Sequence, residues 1–332
     1  MSKLKMVRVS HACVVVVLYS SIMLVSPVLA AEASGLDTAI RPYAKVSGVS
    51  GTINSIGSDT LNNLMTLWAE GFRRQYPNVR IQVEGKGSST APAALIEGTA
   101  QLGPMSRLMK ASEIDKFEAK FGYEPVAYAV AVDALALFVN KDNPISSMSM
   151  EQVDAAFSKS RRRGGNQDIE TWGQLGMDGD WQKARISLYG RNSASGTYGF
   201  FKEQALKNGD FKDQVKEQPG SASVVQSVTE DRNGLGYSGI GYSTSGIKMV
   251  PVSEKTGGTP IAPTLENTRN GTYPLWRHLY VYINQAPGKP LSPIVREFLK
   301  YIYSREGQSD VNKDGYFPLD ASAVEKYVSN IK

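Results

Sequence analysis

The ten residues 190–199, Gly-Arg-Asn-Ser-Ala-Ser-Gly-Thr-Tyr-Gly, bring together one guanidinium, three aliphatic hydroxyls and turn-forming glycines just before an apolar pattern of helical spacing. Two further runs, Gly57-Ser58-Asp59-Thr60 and Gly87-Ser88-Ser89-Thr90, also stand between an apolar strand pattern and a helix. A helix start presents backbone N–H groups without intrahelical partners, and the aligned peptide dipoles make that end partly positive. Glycine lets successive N–H groups point at one centre, and Ser or Thr adds hydroxyl donors. Taken singly, Ser58, Ser88 and Ser195 read as ordinary helix caps. Three such runs in one chain predict one shared oxyanion, held by Ser58, Asp59, Thr60, Ser88, Ser89, Ser193, Ser195, Gly196 and Thr197. Arg191 would offer its planar fork to two oxygens. Arg107, in Gly103-Pro104-Met105-Ser106-Arg107, is either a second such donor or half of a surface ion pair.

The chemistry of these runs is binding. No Gly-x-x-x-x-Gly-Lys-Ser/Thr run is present, so they are not a nucleotide P-loop, and no Gly-x-Ser-x-Gly run comes with a histidine base. Charge-assisted hydrogen bonds contribute roughly 1.5–3 kcal/mol each. Five or six could therefore exceed the ~8 kcal/mol of micromolar affinity after ordering and desolvation costs. A metal is not required, and no cofactor is expected.

The elements that must position these runs alternate in period. Thr52 to Ile56 reads as a strand, Leu61, Leu64, Met65, Trp68 and Phe72 have helical spacing, and Val79 to Val83 reads as a half-buried strand. Val130 to Val139, interrupted only by Asp133, predicts a strand buried on both faces. Met150 to Phe157 reads as a helix, Ser158 to Lys183 as a polar stretch, Ile186 to Tyr189 as a strand, and Tyr198 to Leu206 as a helix. A helical pattern opens at Gly220-Ser221, and Gly234 to Tyr242 reads as a Gly/Tyr-rich strand. Leu275 to Ile283 is strongly β-prone, and Pro293 to Tyr303 and Ala321 to Ile331 read as closing helices. Residues 31–50 show no clear periodicity. This order predicts an α/β fold with a largely parallel sheet, whose strand ends and helix starts meet along one edge. Arg161-Arg162-Arg163 is the one basic run; without interleaved aromatics it reads as a solvated loop, and no nucleic-acid partner is expected.

Composition adds the compartment. Lys3, Lys5 and Arg8, the apolar stretch Cys13 to Leu24 and Val28-Leu29-Ala30 have the layout of a cleaved secretory signal over residues 1–30. A membrane anchor is the competing reading, but the stretch is shorter than the roughly 20 residues of a spanning helix, and Pro27 breaks it. Cleavage would leave residues 31–332 without cysteine and would lower the formal charge from +5 to +2 by removing those three cations. His11 would leave too, so His278, inside a strand pattern, would be the one remaining histidine. Zinc, haem and iron–sulfur chemistry are then close to excluded.

From about Ser50 to the C-terminus the chain resembles the periplasmic phosphate-binding proteins, the substrate-binding subunits of phosphate ABC transporters. The resemblance rests on Gly57 to Thr60, Gly87 to Thr90, Gly103 to Arg107, Val130 to Asn140, Arg191 to Thr197 and Gly236-Tyr237-Ser238-Gly239-Ile240-Gly241-Tyr242. It implies a two-lobed type II periplasmic binding fold, each lobe a mostly parallel sheet flanked by helices, with the ligand in the interlobe cleft. Residues 31–132 with 278–332 would form lobe 1 and residues 133–277 lobe 2. The chain would cross near Ala131 to Asp133 and near Tyr273 to His278. Asp59, Thr60, Ser88 and Ser106 would serve the site from lobe 1, and Arg191, Ser195, Gly196 and Thr197 from lobe 2.

Two positions depart from the family pattern. Family members carry an aspartate where Ser106 stands, to accept the proton of hydrogen phosphate, and another acid near Ser193 that pairs with the arginine. Such a carboxylate rejects sulfate, which has no proton to offer it. Asp59 is the candidate acceptor here, or else a helix-start acid interacting with the dipole. Asp133 is the alternative, since an aspartate in an apolar run needs a partner or a proton. The resemblance implies a monomeric periplasmic carrier that binds inorganic phosphate and docks on the membrane permease subunits of a phosphate ABC transporter. Another tetrahedral oxyanion (sulfate, arsenate or a phosphate ester) is the second reading. A secreted phosphatase using Ser58 or Ser195 is a third, and a surface adhesion or sensing role a fourth.

Overall fold

The computed structural model describes residues 35–331; the expected export segment, with His11 and Cys13, lies outside the described residues. Eleven strands and ten helices follow in chain order. They are β1 (Gly51–Gly57), α1 (Asn62–Gln75), β2 (Val79–Gly85), α2 (Ala91–Glu97), β3 (Gly103–Met105), α3 (Ala111–Phe121), β4 (Val126–Asn140), β5 (Met148–Ser149) and α4 (Met150–Phe157). After a polar stretch come β6 (Ser187–Arg191), α5 (Gly196–Gln204), β7 (Lys216–Gln218), α6 (Ser221–Glu230), β8 (Gly234–Gly239), β9 (Ile247–Val250), β10 (Val252–Ser253) and α7 (Leu265–Arg269). The chain closes with β11 (Trp276–Ile283), α8 (Pro293–Ile302), α9 (Arg305–Lys313) and α10 (Ala321–Val328).

The fold is two-lobed α/β, with parallel pairs of β1 with β2, β6 with both β7 and β8, and β5 with β10, while the edge strand β3 pairs antiparallel with β11. The central strands are antiparallel because they carry the chain across the molecule in opposite directions. Val126 to Ala134 of β4 pairs with β11, and from Leu135 onward β4 changes partner to β8, with β9 on its other edge. Every residue from Val130 to Val139 is buried, Asp133 included, as the unbroken apolar run requires.

Helix α1 shows how the pattern becomes packing. Leu64, Met65, Trp68, Gly71 and Phe72 share one buried face, the i, i+4, i+8 stripe of an amphipathic helix. Trp68 Nε1 donates to Gly307 O at 2.8 Å, and Gly71 faces Tyr301 so closely that a Cβ would stand 1.9 Å from its hydroxyl. Residues 35–50 contain no helix or strand, yet Tyr43 OH lies 2.8 Å from Tyr76 OH and donates to Glu297 Oε2 at 3.1 Å.

Three elements differ from the sequence reading. The strand expected over Gly234 to Tyr242 stops at Gly239 and turns into one 3-10 turn, Ile240–Tyr242. Asp133 Oδ1 accepts from Ile240 N at 3.1 Å and so draws the backbone out of the ladder. Helices α3 and α9 are absent from the sequence reading: α3 buries Phe117 fully and packs Ile114 and Phe121 only partly against the same cluster, and α9 buries Gly307, Gln308 and Asp310 beside Val311. The basic run is tied into the loop it occupies, Arg161 to Asp168, Arg162 to Lys207 O, and Arg163 to Glu254 and Ala205 O.

Candidate functional site

The three hydroxyl-rich runs meet. At the end of β1, Gly57 lies against β3 so tightly that a Cβ would stand 2.1 Å from Pro104 O, and Ser58 N donates to that same oxygen at 2.7 Å. Gly57 O accepts from Gly87 N at 2.7 Å. Gly87 has φ +113° and would drive a Cβ to 2.6 Å from Ala194 O, so only glycine suits this turn. These contacts gather Ser58, Ser88 and Ser106. Ser58 Oγ donates to Ser106 Oγ at 3.0 Å, Ser106 N donates to Ser88 Oγ at 3.0 Å, and the Ser88 and Ser106 hydroxyls are 3.3 Å apart.

Facing them is the start of α5. Ser195 caps it, its Oγ accepting from Thr197 N at 3.1 Å and Tyr198 N at 3.4 Å. Gly196 presents bare backbone to the serines, where a Cβ would stand 2.3 Å from Ser88 Oγ and 2.6 Å from Ser106 Oγ. Thr197 Oγ1 is 2.9 Å from Thr60 Oγ1. Ser89 lies at the rim, exposed, with its N and Oγ both donating to Ala194 O at 3.1 and 2.9 Å. Ser58, Thr60, Ser88, Ser106, Ser195 and Thr197 are all buried.

Two buried guanidiniums complete the cluster. Arg191, at the end of β6 and 1% exposed, donates through Nη1 to Ser221 Oγ at 2.6 Å and through Nη2 to Pro219 O at 3.1 Å. Its Nη1 also lies 3.1 Å from Asp59 Oδ2, which accepts from Ser221 N at 2.8 Å. Its Nε is buried without a partner. Burial lowers the Arg191 pKa from its ordinary value, with Asp59 opposing that shift. Arg277, on β11, grips Asp133 Oδ2 through Nε at 2.8 Å and Nη2 at 2.7 Å. The two arginines and two aspartates balance in charge, and the remaining groups are hydroxyls and backbone N–H donors.

Sequence reasoning placed Asp133 in need of a partner and missed which one. Arg277 stands beside His278 in a run that reads simply as a strand, yet alternation along β11 puts Arg277 in line with Leu279 and Val281 on a buried face. An arginine on that face was the available signal. Ser221 and Tyr242 were also missed; Tyr242 OH donates to Asp59 O at 2.8 Å.

Arg107 and Ser193 lie outside the buried cluster, on a cleft of about 870 Å³ that also reaches Ser195 and Arg277. Arg107 is committed to Glu113 by two hydrogen bonds of 2.7 Å. Burial acts to raise the Glu113 carboxyl, but the bonds from Arg107 and from Lys110 N hold it below its ordinary value. Asp133 has both oxygens occupied, by Ile240 N and Arg277. Asp59 has Oδ2 occupied, and no hydrogen bond from a described residue reaches its Oδ1. His278 sits on the opposite face of β11, edge-on to Trp276, and burial with nearby Lys326 lowers its pKa. Among the described residues no group of three or more His, Cys, Asp or Glu side chains is arranged to hold a metal.

The family model described as the PBP superfamily domain matches residues 43–306. The chain is 57% identical over 302 residues to the phosphate-binding protein PstS of Pseudomonas aeruginosa, covering 91% of this chain and 94% of that protein. It is 26% identical over 320 residues to the Staphylococcus haemolyticus phosphate-binding protein PstS, covering 95% of each. Among solved structures, a substrate-binding protein with bound phosphate from Clostridium perfringens aligns with a TM-score of 0.68 at 24% identity, over 81% of this chain and 100% of that one. An ABC-type phosphate transport receptor from Vibrio cholerae aligns with a TM-score of 0.61 at 21% identity, over 80% of this chain and 100% of that one.

Proposed function

This chain belongs to the PstS phosphate-binding proteins of the PBP superfamily, and we propose that it captures inorganic phosphate in the periplasm and delivers it to the membrane permease of a phosphate ABC transporter. The observation that carries this is the buried meeting of Ser58, Thr60, Ser88 and Ser106 with Arg191, Gly196 and Thr197, two sets of donors from opposite sides of one cleft. A tetrahedral dianion between them would receive charge-assisted hydrogen bonds from both sets at once, so the ligand would favour closure. The change of partner along β4 after Ala134 and the start of β11 support a division into residues 31–132 with 278–332 as one lobe and residues 133–277 as the other.

The protein acts as a monomer that binds without reacting. Each buried hydroxyl of the cluster is paired with another hydroxyl, a backbone group or a guanidinium, and none is hydrogen-bonded to a carboxylate or imidazole that could take its proton. Asp59 holds Arg191 and Ser221 through Oδ2, and its free Oδ1 is the oxygen that would accept the proton of hydrogen phosphate and disfavour sulfate. Arg107 and Ser193 guard the cleft mouth.

Equilibrium dialysis of the anion-stripped protein against labelled phosphate, alone and with excess sulfate, tests the reading. Saturable one-to-one uptake that sulfate does not displace is expected, and Asp59→Asn should weaken phosphate and let sulfate compete. Unchanged affinity and selectivity in that variant would remove Asp59 as acceptor. Turnover of a chromogenic phosphate ester, abolished by Ser195→Ala, would contradict a purely binding role.

A further inference from the structure

Arg277 is, with Arg191, one of the two buried arginines among the described residues. It is 4% exposed and its Asp133 partner 0%, and it sits where β4 changes from β11 to β8. Three of its nitrogens donate. Nε donates to Asp133 Oδ2 at 2.8 Å, Nη1 to Ser106 O at 2.9 Å and Nη2 to Thr197 Oγ1 at 2.9 Å, and Nη2 also lies 2.7 Å from Asp133 Oδ2 as an ion pair. One rigid fork thus touches the crossing strand, the Ser106 backbone on one side of the cleft and the Thr197 hydroxyl on the other.

We propose that Arg277, anchored by Asp133, is the positioning residue that sets the hydroxyl of Thr197 and holds Ser106 in register for the oxyanion. The inference rests on the phosphate reading above. Thr197 Oγ1 accepts from Arg277, so its own hydrogen must point elsewhere, toward Thr60 Oγ1 at 2.9 Å or toward a ligand oxygen. Without Arg277 that hydrogen is free to rotate, and Thr197 loses its fixed sense as a donor. A guanidinium is needed because its planar fork spans three acceptors, which a lysine ammonium on a flexible stem does not. Arg277 acts through Thr197 and Ser106, which its Nη2 and Nη1 hold.

Arg277→Lys keeps a cation beside Asp133 and removes the fork. Unliganded, the variant should melt close to the native protein, while phosphate affinity falls about ten- to hundredfold, the loss of one charge-assisted hydrogen bond. Thr197→Val should weaken phosphate strongly in the native background and little in the Arg277→Lys background, because the hydroxyl is already unset. A merely structural arginine would give additive losses instead. Should Arg277→Lys fail to fold, Asp133→Asn with Arg277→Gln removes both charges together, leaving neither buried and unpaired. That double variant should unfold cooperatively and show the same loss of affinity and of Thr197 sensitivity. Phosphate affinity within about threefold of native in a folded variant, or additive losses, would overturn the proposal. Failure of the native protein to take up phosphate would overturn the functional reading, and this inference with it.

Discussion

Gly196→Ala adds a single methyl at the point where the two halves of the site come closest. The backbone there is helical and not in the left-handed region, and Gly196 is the first residue of α5. Alanine in a helix is favoured over glycine by roughly 0.5–1 kcal/mol, so the unliganded variant should melt at or slightly above the native temperature. The cost falls on closure. The new Cβ would stand 2.3 Å from Ser88 Oγ and 2.6 Å from Ser106 Oγ, where non-bonded contacts settle at about 3.5–4.0 Å. Either the halves separate by about 1 Å, or the two serine hydroxyls rotate away, which also breaks the bond from Ser106 N to Ser88 Oγ. Both outcomes remove two donors from the oxyanion. At roughly 1.5–3 kcal/mol each the loss is about 3–6 kcal/mol, or a fall of roughly 10²–10⁴ in affinity. Calorimetric titration with phosphate reads it, alongside a thermal melt. Affinity within about threefold of native would refute the placement of Gly196 in the site.

Arg191→Lys leaves a charge near Asp59 but cannot hold Ser221, Pro219 O and Asp59 together; phosphate affinity measured by the same titration should drop about ten- to hundredfold. Asp314 Oδ2 is buried without a partner, and burial pushes its carboxyl up to about 7. The folded state then holds this proton more tightly than the unfolded chain, whose carboxyl titrates near ~3.9. Its contribution to stability is complete below that value and is lost as pH rises through about 7. Asp314→Asn should therefore be the more stable protein above neutral pH, by at most about 4 kcal/mol, with a flatter melting profile from acid to neutral. Equal destabilisation at both ends would refute this. Trp68→Ala empties a fully buried site and orphans Gly307 O, so denaturant unfolding should show a loss of about 3–5 kcal/mol.

Strand β4 could be read from sequence because an unbroken apolar run is the direct mark of a strand covered on both faces, and α1 because its stripe is regular. The hydroxyl runs stood out only as a set, since each alone reads as an ordinary helix cap. Helix α9 was not legible, because it is held by polar burial. Gln308 Nε2 donates to Val130 O at 3.2 Å and Gln308 Oε1 accepts from Leu319 N at 2.8 Å, partners that periodicity cannot see. The Asp133–Arg277 pair joins residues 144 positions apart. Asp133 announced that a partner existed, but only the antiparallel register of β4 and β11, which sets Arg277 opposite Asp133, says which residue it is.

The most direct test of the account is calorimetric titration of the anion-stripped protein with phosphate and then with sulfate at neutral pH. Two sets of donors closing on one oxyanion, with the free oxygen of Asp59 as acceptor, predict a single phosphate site of micromolar affinity or tighter, about 8 kcal/mol or more, and no heat from sulfate. Sulfate binding as tightly as phosphate, or neither anion binding, would contradict it.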